Sequence, residues 1–425
     1  MTHRHAATLG MPSCAVVGAG VLGLCTAILA QRRGLQVTLY DRQPPGLGAS
    51  YGNAGYLACE LIDPLSTPAT LRIAPKLWLD PNGPLALPLR HLPKLLPWLM
   101  RFVGAARPAA VASSQQGLRA LNQASVPAWK RLLSPLGLGD HLVQSGYMLV
   151  WESENKQAEA RSHAKRLAAC GISTRWLDRT ALIKMEPEMG PQLSCGLFFP
   201  EAYRVQEPYS LVSALYDAFI QAGGTFAEVG VKRVQPVEND GVLIEHTEGE
   251  QRFDKAVICA GAWSRSLMKL LGLSVPVEAE RGYHLTYRDL KGPLNYPMGS
   301  AERRFVMTPL ESGLRVVGMS ELGGLTLAPF KKRYDVLKRH ACALIPGLKE
   351  KSEQCEVWMG HRPTLTDSIP VIGAVPGWKG AYLGYGHHHV GLTGGPKTGF
   401  LLAQMIAGRK SNVDLAPYDP ARFAK

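Results

Sequence analysis

Apolar positions along this chain fall into short unbroken runs that read as buried strands and longer periodic stretches that read as helices. The run Cys14-Ala15-Val16-Val17 predicts a strand; a glycine turn and a helical stretch follow, and Leu35-Gln36-Val37-Thr38-Leu39-Tyr40 predicts a second strand. Residues 154–170 carry the pattern of a polar helix stopped by Gly171, and residues 208–222 that of another helix stopped by Gly223-Gly224. Glycine is the residue that most readily takes the left-handed turn ending a helix. A meander of short strands is expected over 229–234, 242–245 and 252–253. It leads into Lys255-Ala256-Val257-Ile258-Cys259, which runs straight into Ala260-Gly261-Ala262. A central parallel strand ending over a ligand has this pattern, and so has a buried strand with a plain turn. Strands and turns dominate 275–318, and a last helix is predicted over 399–407 after a glycine-rich loop.

Residues 61–110 are dense in proline and leucine. Within them Leu92, Leu95, Leu96, Leu99 and Phe102 recur at helical spacing while Arg90, Lys94 and Arg101 fall on other faces. The stripe suits a helix lying on a membrane surface; a helix packed on its own domain shows the same stripe, and that second reading is favoured here. Pro97 inside it would remove a backbone hydrogen bond and kink it.

Composition narrows the class. A chain of 425 residues, 46% hydrophobic, can bury a large core and is expected to form two domains. Eight cysteines without a C-x-x-C pair, and no leader peptide ahead of the first strand, predict reduced thiols in the cytoplasm. Residues 1–10, with His3 and His5, read as a tail and not as a metal site. No run of 18 apolar residues predicts a membrane span. The excess of 47 Lys and Arg over 34 Asp and Glu gives a net charge of +13, which suits an anionic membrane surface, a carboxylate substrate or nucleic acid. The basic residues are dispersed or lie beside leucines, which ranks a nucleic-acid or regulatory role last.

The most specific motif is Gly18-Ala19-Gly20-Val21-Leu22-Gly23 between the first strand and helix, with Asp41 closing the second strand about 20 residues on. Gly18 would permit the tight turn, Gly20 the approach of a pyrophosphate, and Gly23 close helix packing, while the helix N-terminus offers free N–H groups to phosphates. An acid at Asp41 favours an unphosphorylated ribose, hence FAD or NAD over NADP. Three further segments end in small residues: 48–55, Ala260 to Ala262, and Gly384-Tyr385-Gly386-His387-His388-His389-Val390-Gly391-Leu392-Thr393-Gly394-Gly395. A long buried flavin must be contacted by loops from distant parts of the chain, so four such segments favour FAD. The triple histidine lacks a nearby acidic or cysteine ligand, and no metal is expected. With neither G-x-S-x-G nor H-E-x-x-H, hydrolase chemistry has no nucleophile or metal.

In these motifs the chain resembles the FAD-dependent D-amino-acid oxidase and glycine oxidase superfamily, most closely its D-amino-acid dehydrogenase and glyphosate oxidoreductase branch. The resemblance runs from about residue 14 to 423. It is carried by GAGVLG with Asp41, GASYGNAG, KLWLDPNGPL at 76–85 with LLPWLMRF at 95–102, AVICAGAWS, ERGYH at 280–284, WMGHRPTLTDSIPVIG at 358–373 and YGHHHVGLTGG. It implies an α/β fold: a Rossmann-like FAD-binding domain of glutathione-reductase type (11–60, 200–272 and 355–425) and an inserted α+β substrate domain with an antiparallel sheet (61–199 and 273–354). It further implies non-covalent FAD held by Gly18, Gly20, Val21, Leu22, Gly23, Asp41, Arg42, Ser50, Gly52, Asn53, Ala54, Gly55, Val231, Ala260, Gly261, Gly391, Leu392 and Thr393. Cys355 lies several residues off the position through which some relatives attach flavin.

On the substrate side, Arg362 matches the arginine that binds substrate carboxylate, with a structural salt bridge as the alternative. Tyr283 and His284 sit where a substrate-domain strand approaches the flavin. His387 and His389 are candidates for the flavin face. His388 replaces a glycine common in this branch, which puts the local backbone geometry in question. The reaction implied is oxidative deamination of an amino acid, a D-amino acid or a cyclic or secondary one, by hydride transfer to flavin N5 and hydrolysis of the imine. An oxygen-using glycine or secondary-amine oxidase of glyphosate-oxidoreductase type is the alternative. Expected partners are the amino-acid or amine substrate, a quinone acceptor, and a peripheral contact of residues 61–110 with the inner face of the cytoplasmic membrane.

Overall fold

The computed structural model describes residues 11–238, 241–411 and 413–424, with the side chains at 269, 270, 352 and 353 left aside; the tail expected over residues 1–10 lies outside the described residues. Strand Ser13–Val17 is buried at four of its five positions and lies between strands Gln36–Asp41 and Lys255–Ile258, both parallel to it. The sheet extends to Thr225–Glu228 on one side and to Ala381–Tyr385 and Val371–Ala374 on the other; only the last strand runs antiparallel. A parallel sheet needs cover on its faces. Helix Val21–Gln31 supplies it on one face, with ten of its eleven residues buried, and the meander Val231–Val237, Gly241–His246 and Gly249–Phe253 supplies apolar side chains to the other through Val234, Ile244 and Phe253.

The last helix is longer than the periodicity predicts. It spans Gly391–Ile406 and not 399–407, so the glycine-rich stretch 391–395 forms its first turns. Glycine disfavours helix by about 1 kcal/mol relative to alanine, but here it lets this helix approach the first one: a Cβ on Gly399 would lie 2.9 Å from the backbone of Cys25. Nearer the start, a Cβ on Gly394 would stand 3.0 Å from the His387 ring and 3.2 Å from Leu121, so the first turns are helical and closely packed despite the low helix propensity of glycine. Helices Pro108–Asn122 and Ser125–Leu133 add Leu118, Leu121, Trp129 and Leu132 to the same core.

A second, nine-stranded sheet stands beside this layer. Its order is Cys355–Leu365, Val277–Arg288, Gly313–Leu322, Phe305–Leu310, Met298–Ser300, Tyr147–Trp151, Cys195–Phe199 and Arg175–Asp178, with Leu85–Ala86 pairing Gly313–Leu322. Pairing is antiparallel except where Met298–Ser300 meets Tyr147–Trp151 and where Leu85–Ala86 joins. The boundary expected at residue 355 thus falls at the first residue of a strand that pairs over its whole length with Val277–Arg288. The buried Arg281 is held in this sheet by Glu321 at 2.9 Å and by the carbonyls of Gly324 and Ala328.

Helix Leu92–Ala105 contains Pro97 and is anchored by buried Leu95 and Trp98, whose indole N–H donates to Thr364 O. Its other side exposes Leu96, Met100 and Val103, each more than half accessible. The neighbouring helix Pro68–Leu79 has no buried residue. No helix among the described residues is long and apolar enough to cross a membrane.

Packing at the first glycine turn is close enough to test. A Cβ on Gly23 would overlap Gly18 O, so Gly23→Ala is expected to cost about 1–3 kcal/mol of stability, as overpacked interiors do. Urea unfolding of the wild-type and variant apoproteins measures it; equal midpoints would show that the turn has room.

Candidate active site

The first turn is built around its glycines. Gly18 has φ of +112°, donates its N–H to Tyr40 O at 2.7 Å, and has no space for a Cβ, which would stand 2.5 Å from Cys259 O. Asp41 Oδ2 accepts from Ala19 N–H at 2.8 Å; burial raises its carboxyl above the ordinary range, and the backbone N–H groups of Ala19 and Gln43 oppose the rise. Ser50 reaches back from the next loop so that its Oγ accepts from Val21 N–H at 3.0 Å. The Arg42 guanidinium lies over the Trp263 ring, 4.2 Å from its centroid.

From this turn a continuous cavity of about 1060 Å³ runs between the two sheets. Of the residues expected to hold the cofactor, Gly18, Gly20, Val21, Leu22, Asp41, Arg42, Ser50, Gly52, Asn53, Ala54, Val231, Ala260, Gly261, Gly391 and Leu392 line it. Gly23, Gly55 and Thr393 stand behind the wall. Gly55, at φ +75°, donates to Asn53 Oδ1, and Thr393 Oγ1 accepts from Ala58 N–H at 3.0 Å, so Thr393 ties the small-residue loop to the start of the last helix. Arg315, buried in the large sheet, fixes the same loop by donating to Tyr51 O and Asn53 O while pairing with Glu207 at 3.0 Å. The Trp358 indole fills the space that a side chain on Gly52 or Gly360 would need.

Arg362, in the cavity wall, is not free. Its Nη1 donates to Glu280 Oε1 at 2.9 Å and to Met319 O at 3.2 Å. Ser320 donates to Glu280 Oε1 at 2.6 Å and Thr364 to Oε2 at 2.7 Å. Despite burial, the guanidinium and these hydroxyls hold the Glu280 carboxyl below its usual range. The salt bridge and the place in the cavity wall coexist, because Gly282 leaves the gap that the guanidinium occupies and Arg362 lines the cavity.

The remaining candidates divide. His389 opens into the cavity beside the Glu280–Arg362 pair, and desolvation lowers its pKa to about 4, leaving it neutral. His387 also lines the cavity, but its Nε2 is tied to buried Thr398 Oγ1 at 2.8 Å, and burial lowers its pKa to about 3. His388 takes φ of +38°, so the left-handed backbone that glycine would adopt is kept, and its ring packs on that of His389. Tyr283 reaches the cavity wall only with its ring; its hydroxyl donates to Glu321 at 2.7 Å and accepts from Phe330 N–H. His284 does not line the cavity. It stacks on Trp358 with Nδ1 3.2 Å from Gly52 O, and desolvation lowers its pKa to about 3. Alternation along Val277–Arg288 places neighbours on opposite faces, so Tyr283 and His284 could not both face the cavity. Among the described residues no three acidic, cysteine or histidine side chains cluster to hold a metal.

Two cavity residues escaped the sequence reading. Glu280 opens the ERGYH motif, but its partnership depends on the strand register that sets it opposite Arg362. Glu60 lines the cavity and accepts from Tyr56 Oη at 2.6 Å; a lone acid within Tyr56-Leu57-Ala58-Cys59-Glu60-Leu61-Ile62 was the available signal.

Residues 13–405 match the DAO family, described as FAD dependent oxidoreductase. This chain belongs to that family. A D-amino-acid oxidase from Bradyrhizobium diazoefficiens is 32% identical, the match covering 96% of this chain and 98% of that protein. A D-amino acid dehydrogenase from Rhizobium rhizogenes is 27% identical over 96% and 99% of the two chains. In fold the chain is similar to glycine oxidase from Geobacillus kaustophilus, with a TM-score of 0.73 and 22% identity over 97% of this chain and 99% of that one. Iminodiacetate oxidase from Chelativorans gives a TM-score of 0.71 over 96% and 98%. The protein is an FAD-dependent oxidoreductase, and its residues fit the cofactor: a glycine turn with no space for a Cβ, a carboxylate at the second strand's end, and a helix N-terminus open onto one long cavity.

If Asp41 holds the ribose, Asp41→Ala removes charge-assisted bonds worth about 1.5–3 kcal/mol each. FAD affinity of the apoprotein should then fall about 10- to 100-fold, as read by quenching of flavin fluorescence. Unchanged affinity would remove that role.

Proposed function

We propose that this enzyme oxidises the C–N bond of an amino acid, a D-amino acid or a cyclic or secondary one, to an imine that water hydrolyses. The observation that carries the proposal is Arg362, a guanidinium placed in the wall of the same cavity that begins at the dinucleotide turn. When bound, non-covalently, the flavin supplies the two-electron acceptor. The chain supplies the rest. Arg362 grips the substrate carboxylate with charge-assisted bonds, and Glu280 aims the guanidinium through Nη1. His389, neutral and open to the cavity, faces the bound amino acid. Leu71, Trp78, Trp98 and Phe102 at the outer wall keep water from the reacting carbon.

Whether oxygen or a quinone takes the electrons is a second part of the proposal, and one surface favours the quinone. The helices Pro68–Leu79 and Leu92–Ala105 line the cavity with Leu71, Trp78 and Leu99 and also expose Leu79, Leu96, Met100 and Val103 beside Arg72, Lys76, Lys94 and Arg101. An apolar face rimmed by cations suits peripheral contact with an anionic membrane, where a quinone is dissolved.

Anaerobic mixing with glycine, sarcosine, D-alanine and D-proline should bleach the flavin with at least one of them; no bleaching across such a panel would end this reading. Removing Arg362 alone would strand Glu280, so the informative variant is Arg362→Met with Glu280→Gln. It should raise KM for amino acids by about 10- to 100-fold and leave simple amines unaffected. Sedimentation with anionic vesicles should weaken by about 10-fold or more in Leu96→Glu/Met100→Glu, and hydrogen peroxide release compared with quinone-analogue reduction decides the acceptor.

A further inference from the structure

We propose that Glu60 receives the amino group of the substrate, holding it as a cation and accepting its proton. This rests on the reading of the cavity as an amino-acid site and adds the group that faces the nitrogen. Glu280 already has Arg362, Ser320 and Thr364 as partners, and the Glu280–Arg362 pair is neutral as a unit. Glu60 lines the same cavity with one hydroxyl donor, Tyr56 at 2.6 Å. Tyr56 in turn lies flat against Tyr147, with ring centroids 4.1 Å apart. The titratable groups facing Glu60 are Tyr56, Tyr147 and Cys59, and burial raises all three, so none is charged near pH 7. No lysine, arginine or histidine among the described residues pairs with it.

A carboxylate walled into a cavity without a cation is costly unless something charged arrives. An amino acid brings that charge. Its carboxylate has a place at Arg362, and its ammonium is the complement of Glu60. Desolvation lifts the Glu60 carboxyl to about 7 while the Tyr56 hydroxyl pulls it down, which makes it a stronger base than an ordinary carboxylate and suits proton transfer near neutrality. The step is balanced: an N–H bond of the ammonium breaks, an O–H bond forms on Glu60, and a neutral amine and a neutral carboxyl result, with no electrons exchanged. Oxidation of the neutral amine then follows. Because Glu60 must be ionised to act, kcat/KM should fall below about pH 7 as the carboxyl takes up a proton.

Two measurements on the FAD-loaded enzyme test this. Calorimetric titration at pH 8.5 with propylammonium and, separately, with propionate does not depend on turnover. Glu60→Gln should weaken propylammonium at least about 10-fold and leave propionate within about twofold. For whichever amino acid bleaches the wild-type flavin, Glu60→Gln should lower kcat/KM by about 10²- to 10⁴-fold and abolish the acid limb. Tyr56→Phe should keep the limb but move it to higher pH, since it removes the donor that stabilises the carboxylate. Retention of the wild-type limb in Glu60→Gln, equal loss of both ligands, or a change confined to FAD affinity would each overturn the assignment. Failure of every amino acid to bleach the flavin would instead defeat the functional reading, while the propylammonium titration still judges Glu60.

Discussion

A buried guanidinium joins the two halves of this molecule. Arg315 is rooted in the large sheet, and its fork ends on the carbonyls of Tyr51 and Asn53 in a loop that belongs to the dinucleotide layer. An arginine removed from water is costly unless its donors are used. Here they are met by two carbonyls and by Glu207 at the head of helix Pro208–Gln221. The cost of burying the group thereby ties the loop to the large sheet, because any drift of the loop would leave buried guanidinium N–H groups without acceptors. The cavity owes its shape to this constraint. Gly52, Asn53 and Ala54 line it from one side and the strand carrying Arg362 from the other.

The parts of this architecture legible in the sequence were those written over short stretches. Strand, glycine turn, helix, second strand and Asp41 form one local unit, and their geometry follows from adjacent residues. The stops at Gly171 and Gly223 are equally local, both at positive φ. What escaped was set by register or by tertiary contact. The last helix begins at Gly391, through glycines whose propensity opposes helix; Gly394 packs closely on His387 and Leu121, and Gly399 on the first helix. The resemblance brings both Tyr283 and His284 toward the flavin, although successive residues of a strand diverge; Tyr283 satisfies Glu321 and His284 packs on Trp358. His387 keeps a place in the cavity wall, but its Nε2 is held by Thr398, eleven residues away on the helix that follows. The motif singles out Arg362, which lines the cavity, but not its partner, because pairing of two strands about eighty residues apart brings Glu280 to it.

The charge of the whole and the charge of the site point in different directions. The chain carries +13, and much of the segment with exposed apolar helices is basic. Inside, Arg362 is cancelled by Glu280, burial keeps the histidines that line the cavity neutral, and Glu60 has no cation. Long-range attraction toward anionic surfaces and short-range selection within the cavity are therefore separate properties of this fold. The first belongs to solvated side chains and is screened by salt; the second belongs to desolvated ones and is not.

Trp358 and Gly360, on one strand, and Gly52, on a distant loop, constrain one another. The indole occupies the volume that a side chain at either glycine would claim, so neither glycine can gain a side chain while the indole remains. A lineage that enlarges position 52 or 360 must first shrink the indole, passing through a form with a hole beside the small-residue loop. Divergence at these three positions should therefore arrive as a concerted set, and proteins of this family sharing the indole should share both glycines.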